Sequence, residues 1–179
     1  MKEIIETNES DSKIEFSDPL VERYASQEML ICFSHHHRYR NWRKLWLALA
    51  RAQMELGLPI KAAQISDIEA AMEQPIDFEK AAKYEAEFHH DVMAHLHAFG
   101  DTCSEAKPIL HLGATSAFIT DNADVMLSRD AMNIVLSRLQ KLCRIVGKFC
   151  DHYKHTATVG YTHFQVALPT TVGKRASLW

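Results

Sequence analysis

The stretch from Asp121 to about His155 constrains the fold most, because it contains no proline and a single glycine. Its apolar residues recur in steps of three and four, at Met132, Val135, Leu139, Leu142, Val146, Phe149 and Tyr153. This heptad pattern, widened by Leu136, Cys143 and Cys150, predicts one long helix with an apolar seam. At 1.5 Å per residue it would be roughly 50 Å long, more than the rest of such a chain can cover. We therefore expect it to pack against helices that are not all in this sequence.

Composition favours an all-α fold for the rest of the chain. The 179 residues are 47% hydrophobic, which is enough for a core, and only 6 glycines and 5 prolines interrupt long runs of strong helix formers. Four scattered cysteines without CxxC spacing indicate reduced thiols rather than a disulfide framework.

Charge and hydropathy limit the partners. A net charge of -3 and a pI of about 6.4 give no basic patch for nucleic acid or an anionic membrane. No run of about 18 apolar residues could span a bilayer. We expect a cytoplasmic protein that binds a small molecule, with no nucleic acid and no membrane partner.

The pattern divides the chain into three parts. Residues 1–18 are predicted to be a flexible leader, 19–112 an N-terminal helical domain, and 113–179 the start of a central helical bundle that the sequence leaves incomplete. Pro169 is expected near the start of a last helix, which continues over 172–179.

Three helices are predicted in the N-terminal domain. Ser34 caps the first, which carries Trp42 and Trp46 and ends at Gly57. A capping box from Ser66 to Glu69 predicts the start of the second. The third is predicted over 77–99, and its apolar stripe faces a core.

Eleven histidines suggest metal binding or acid–base chemistry. His35, His36 and His37 are consecutive, so they point about 100° apart on a helix and more simply form a solvated helix start. Asp91 and His95 have the spacing of two ligands on one helix, but no HExxH or paired cysteines accompany them. We predict no metal site.

Three segments could form an organic active site. His89-His90-Asp91 places an imidazole beside a carboxylate that can orient it, although a polar helix face would look the same. His163 is expected in a loop between two helices, Gly160–Gln165, where it could equally be solvated. The loop Leu112–Ser116 offers hydroxyls and backbone amides that suit a carboxylate or phosphate at a helix start, or an ordinary cap.

Five segments occur in a fixed order: Glu22–Ser26, His90–His95, His111–Ser116, Asp121–Asp124 and Gly160–Gln165. Together they resemble the adenylosuccinate lyase family of the fumarase/aspartase superfamily, over nearly all of 19–179. The resemblance implies a cofactor-free β-elimination that releases fumarate from adenylosuccinate and from succinyl-aminoimidazole-carboxamide ribotide, two steps of purine biosynthesis.

The resemblance also implies roles for individual residues. His163 matches the general acid, and His90 a second catalytic position that also binds substrate. The remaining substrate-binding positions are Arg23 and Tyr24 for the phosphate, Asp91 beside His90, Thr115 and Ser116 for the succinyl carboxylates, and Thr162. His89 is a further substrate-binding position, but it stands where the family usually has arginine, so a fixed charge becomes a titratable one.

Family chains continue well beyond the equivalent of Trp179, into a serine-rich loop that supplies the general base. They are homotetramers whose sites are built from several subunits. We therefore expect the 179-residue chain to be inactive alone. Two alternatives stay open: another fumarate-releasing lyase of the superfamily, and a non-catalytic helical interaction module.

Overall fold

The computed structural model describes residues 18–179. The leader predicted over 1–18 lies outside the described residues except for Asp18. This residue accepts a hydrogen bond from the Leu20 amide at 2.8 Å and caps the first helix.

Helices make up most of the described chain, which confirms the predicted fold class. The helices are α1 (Pro19–Tyr24), α2 (Gln27–Cys32), α3 (His35–Glu55), α4 (Ala62–Met72), α5 (Phe78–Phe88), α6 (Asp91–Gly100), a short 3-10 helix (Lys107–Ile109), α7 (Ser116–His152) and α8 (Val172–Ala176). Two short strands, β1 (Ala157–Thr162) and β2 (Gln165–Thr171), form an antiparallel hairpin.

The described chain divides into two compact units, residues 18–127 and 128–179, and the division falls within α7. A search of the described residues finds no helix that is long and apolar enough to cross a membrane. The domain boundary expected at residue 113 stays a prediction.

Two tryptophans of α3 lie in the core of the first unit, as the apolar stripe predicts. Trp42 and Trp46 are 2% and 1% exposed, and Trp46 stacks on Phe99 with ring centroids 5.9 Å apart. Ser34 caps α3 as expected, because its Oγ accepts from the His37 amide at 3.2 Å. Truncating either tryptophan would remove about 3–5 kcal/mol of stability.

Arg43 is a buried charge in the same core. Its guanidinium donates to the carbonyl oxygens of Gln74 and Pro75, at 2.7 and 3.2 Å, and lies over the Phe99 ring. Burial lowers its pKa. The arginine therefore fixes the connection between α4 and α5 by satisfying carbonyl groups that follow the end of α4.

The start predicted for the second helix is wrong. Ser66 is inside α4, which begins at Ala62. The Lys61 amide donates to Gln64 Oε1 at 3.0 Å, so a glutamine makes the contact that we expected from Glu69.

The third predicted helix is two helices. His89 has φ 51° in the left-handed region and ends α5, where its amide donates to the Glu85 carbonyl at 2.8 Å. His90 is extended and caps α6 by accepting the Met93 amide. The chain therefore turns at His89 and His90, which the periodicity had predicted to lie inside one helix.

The apolar seam of α7 is exposed in this chain. Met132, Val135, Leu136, Leu139, Leu142, Ile145 and Phe149 each expose more than 40% of their surface. The helix also begins earlier than predicted, at Ser116. Val146 and Tyr153, which also belong to the predicted seam, are partly buried. The packing of this helix against further helices stays a prediction.

The C-terminal segment corrects two predictions. The expected loop over Gly160–Gln165 consists of strand ends and a two-residue turn, and Pro169 lies in β2 opposite Val159 instead of starting a helix. The last helix ends at Ala176. It is held through Gly173, whose amide donates to the Tyr153 carbonyl at 3.0 Å.

Candidate active site

The N-termini of α6 and α7 come together through His90 and Ser116. Ser116 is the first residue of α7, and its Oγ lies 3.1 Å from His90 Nε2. His90 Nδ1 accepts from the Met93 amide at 3.4 Å. A histidine that caps one helix is therefore bonded to the first residue of another, and both helix ends attract anions.

Asp91 begins α6 beside this histidine. Its Oδ1 lies 3.6 Å from His90 Nδ1 and accepts from the Val92 amide at 2.7 Å. The first distance is too long for a hydrogen bond. The Met93 amide therefore orients the His90 ring, and Asp91 places a carboxylate beside it.

The loop before α7 has the turn geometry that its sequence predicts. Gly113 has φ 67°, and the Ala114 amide donates to the His111 carbonyl at 3.2 Å. Thr115 is exposed, and its carbonyl accepts from the Phe118 amide at 3.0 Å. The loop thus presents the Thr115 side chain next to Ser116, at the start of a long helix.

His111 is a functional candidate that the sequence reasoning did not select. Trp46 Nε1 donates to His111 Nδ1 at 3.2 Å. Burial, with a smaller contribution from His90, lowers the pKa of His111. His111 lies within the quoted segment His111–Ser116, but its partner is far away in the sequence, so no spacing rule could have found the bond.

Three other predicted residues are exposed and are not bonded to this cluster. Arg23 and Tyr24 lie at the end of α1, where Tyr24 is 77% exposed. His89 is exposed at the end of α5. Within 18–179, no hydrogen bond or ion pair joins these three side chains to His90 or Ser116.

His163 lies at the tip of the hairpin in the second unit. Thr162 ends β1 and pairs with Gln165, which leaves His163 and Phe164 as the two turn residues. Both have positive φ, 49° and 61°, as a type I′ turn requires. Both are exposed, and Phe164 is fully so. The turn thus presents an imidazole to solvent at a position where asparagine or glycine would be less strained.

His95, considered as a metal ligand with Asp91, is packed instead. It is 9% exposed and stacks on Tyr39 with ring centroids 3.6 Å apart. Burial lowers its pKa to about 4. The described residues contain no group of three or more His, Cys, Asp or Glu side chains that could hold a metal ion.

Comparison with known proteins places the chain in a family. The family model described as lyase matches residues 18–179. The chain belongs to the lyase family. Among curated relatives, adenylosuccinate lyase from Saccharomyces cerevisiae is 47% identical over 174 residues, which cover 92% of this lyase chain and 34% of the relative. Adenylosuccinate lyase from Pyrococcus abyssi is 35% identical over 162 residues, covering 90% and 36%.

Solved structures give the same result. Fumarate lyase from Mesorhizobium sp. BNC1 matches this lyase chain with a TM-score of 0.77 and 27% identity, over 87% of this chain and 37% of that one. The β-carboxy-cis,cis-muconate cycloisomerase from Acinetobacter calcoaceticus matches with a TM-score of 0.75 and 26% identity, over 89% and 38%. The chain spans about a third of the length of the relatives that it matches.

Proposed function

We propose that the protein containing this chain is an adenylosuccinate lyase, a carbon–nitrogen lyase of the amidine-lyase type. It would release fumarate from adenylosuccinate, giving AMP, and from succinyl-aminoimidazole-carboxamide ribotide. The observation that carries the proposal is the 47% identity to the Saccharomyces cerevisiae enzyme over 92% of this chain.

The reaction needs one base and one acid. The base removes the proton from the carbon next to a succinyl carboxylate, and the electron pair is held as an aci-carboxylate. The pair then forms the carbon–carbon double bond of fumarate while the carbon–nitrogen bond breaks. The departing nitrogen takes a proton from the acid, so atoms and charge balance without a cofactor.

We assign the acid to His163. A histidine ring can donate a proton to a departing nitrogen, which is the role of a general acid. Its exposed place on a two-residue turn supports this role, because a short hairpin fixes the backbone while leaving the ring accessible. Thr162, which ends β1, would bind substrate beside it. The base would come from a segment outside this sequence.

We assign the binding of the succinyl carboxylates to Thr115 and Ser116, with His90 and Asp91 beside them. The bond between Ser116 and His90 supports this assignment, since two helix N-termini and an imidazole lie where a carboxylate is favoured.

The phosphate would bind at Arg23 and Tyr24, and His89 would be a further substrate-binding residue. Arg23 suits a phosphate because its guanidinium offers several fixed donors. The exposure of Arg23 and Tyr24 on α1 is compatible with a ligand or a second subunit reaching them.

We infer a cytoplasmic homotetramer in which α7 packs against the same helix of other copies. The exposed seam of α7 supports this assembly, because seven large apolar side chains along one helix need cover. We expect the 179-residue chain alone to release no fumarate, because it would lack both the base and the assembled site.

A comparison of substrates tests the proposal. The full-length protein is assayed for fumarate release from adenylosuccinate and from argininosuccinate. Turnover of adenylosuccinate alone is the expected result. Turnover of argininosuccinate alone would favour another fumarate-releasing lyase, in line with the match to a fumarate lyase. No turnover of either, with stable binding to a different protein, would favour the interaction module.

A further inference from the structure

The bond between Trp46 and His111 determines which nitrogen of the histidine carries the proton. An indole nitrogen can donate a hydrogen bond and cannot accept one. His111 Nδ1, 3.2 Å from Trp46 Nε1, must therefore accept. A neutral imidazole has one donor and one acceptor, so its hydrogen is on Nε2.

Trp46 is a rigid donor. It is 1% exposed and lies between two other rings, with centroids 5.9 Å from Phe99 and 6.3 Å from Trp42. The planes of Trp46 and His111 are perpendicular. Since the indole cannot turn away without disrupting the core, the direction of its N–H is fixed by packing.

His111 is also held in place, and it lies in the loop that leads to Ser116. Its backbone has φ 63°, in the left-handed region that favours glycine, which indicates that the surrounding loop imposes its conformation. His90 lies close enough to disfavour a positive charge on His111, and burial acts in the same direction. Both effects lower the pKa of His111 and so favour its neutral ring.

We propose that Trp46 is a positioning residue that holds His111 as the neutral Nε2–H tautomer. In that form His111 offers Nε2–H as a hydrogen-bond donor, and its other nitrogen, already bonded to Trp46, is not available as a base. The part of this inference that concerns turnover rests on the proposed function. The part that concerns the tautomer does not.

Trp46→Phe tests the inference, with Trp42→Phe as the matched control. Both changes keep an aromatic ring in the same core and remove one indole N–H. The Trp42 N–H is buried without a hydrogen-bond partner among the described residues, so its loss breaks no such bond there. The two variants therefore separate loss of the bond to His111 from loss of ring volume.

The first readout is the tautomer itself. The full-length protein is labelled with 15N-histidine and measured by solid-state NMR, and His111 is assigned by the signal that His111→Gln lacks. We expect a pure Nε2–H signal in the wild type and in Trp42→Phe, and a mixture in Trp46→Phe. An Nδ1–H signal in the wild type, or an unchanged signal in Trp46→Phe, would overturn the inference.

The second readout is a double-mutant cycle on fumarate release from adenylosuccinate. Trp46→Phe should lower kcat/KM about tenfold, the scale of one lost hydrogen bond, and Trp42→Phe much less. In a His111→Gln background, Trp46→Phe should have no further effect. Equal effects in both backgrounds would show that Trp46 supports only the fold and would overturn its positioning role. An inactive wild type with the expected tautomers would contradict the proposed function alone.

Discussion

Ser116 Oγ lies 3.1 Å from His90 Nε2, although the two residues are 26 positions apart. The contact joins the first residue of α7 to the N-cap of α6. It therefore brings two helix N-termini and an imidazole together, and helix N-termini favour anions such as carboxylates.

Removal of this hydroxyl should weaken substrate binding. In the full-length protein, Ser116→Ala leaves His90 Nε2 without its hydrogen-bonded side chain and removes the hydroxyl proposed to bind the carboxylate. We expect KM for adenylosuccinate to rise about tenfold, on the scale of a hydrogen bond to a charged group. Steady-state kinetics measure the change. Ser128→Ala, on the exposed surface of the same helix, is the control, and equal KM values in both variants would contradict the assignment.

The hairpin turn should become more stable when its left-handed residues are replaced by asparagine. Phe164 has φ 61° and is fully exposed, so Phe164→Asn relieves strain without removing buried surface. We expect the free energy of unfolding to rise by about 1 kcal/mol. Thermal unfolding of the full-length protein measures it, and a lower melting temperature would show that Phe164 packs against another part of the assembled protein.

Gly173 should be intolerant of any side chain. A Cβ at this position would lie 2.3 Å from the Cys150 carbonyl oxygen and 2.7 Å from the Lys154 amide nitrogen, both backbone atoms. We expect Gly173→Ala to destabilise the protein by about 3 kcal/mol or more.

Gly147 provides the comparison for that variant. It lies in α7 with nothing near its missing Cβ, so Gly147→Ala should raise stability by up to about 1 kcal/mol. Differential scanning calorimetry compares the two substitutions. Similar melting temperatures for both would contradict the close approach of α8 to the end of α7.

Acid should destabilise the fold through His95. Burial lowers the pKa of His95 to about 4, while Asp91 opposes the shift and Arg43 and His35 add to it. In the unfolded chain His95 therefore takes up a proton near pH 6.5, whereas in the folded chain it takes one up only near pH 4. Stability contributed by neutral His95 is complete above pH 6.5 and is lost progressively as the pH falls towards 4.

His95→Phe isolates that contribution, because phenylalanine can stack on Tyr39 and does not titrate. Denaturant unfolding of wild type and variant is compared at several pH values between 7 and about 4. The wild type should lose stability more steeply on the acid side. Parallel curves would show that His95 takes up its proton equally in the folded and unfolded states.

Sequence periodicity correctly predicted a helix that buries a continuous apolar stripe. It failed where the backbone conformation of one or two residues ends a helix or forms a turn. The stripe that carries Trp42 and Trp46 identified α3 and its cap correctly, because burial of large side chains repeats every turn. The break at His89 was missed, since a left-handed residue that ends a helix is usually glycine or asparagine. The His163-Phe164 turn was missed for the same reason.

The candidate site was partly predictable. The segments containing His90, Ser116 and His163 stood out as chemistry-bearing groups in the sequence, and the resemblance gave them roles. The contact between His90 and Ser116 and the bond from Trp46 to His111 could not be predicted, because each depends on how distant segments pack. The spacing of Asp91 and His95 suggested a pair of ligands, whereas packing placed the His95 ring against Tyr39.

The central claim is that this chain supplies the proton donor of an adenylosuccinate lyase. The most direct measurement is fumarate formation from adenylosuccinate by the full-length protein and by His163→Asn, side by side. Asparagine suits the left-handed turn and has no titrating proton, so the fold should be retained. The account predicts that the wild type forms equal amounts of fumarate and AMP. It also predicts that the variant's rate falls by a factor of about 100 or more. No fumarate from the wild type, or equal rates from both proteins, would contradict it.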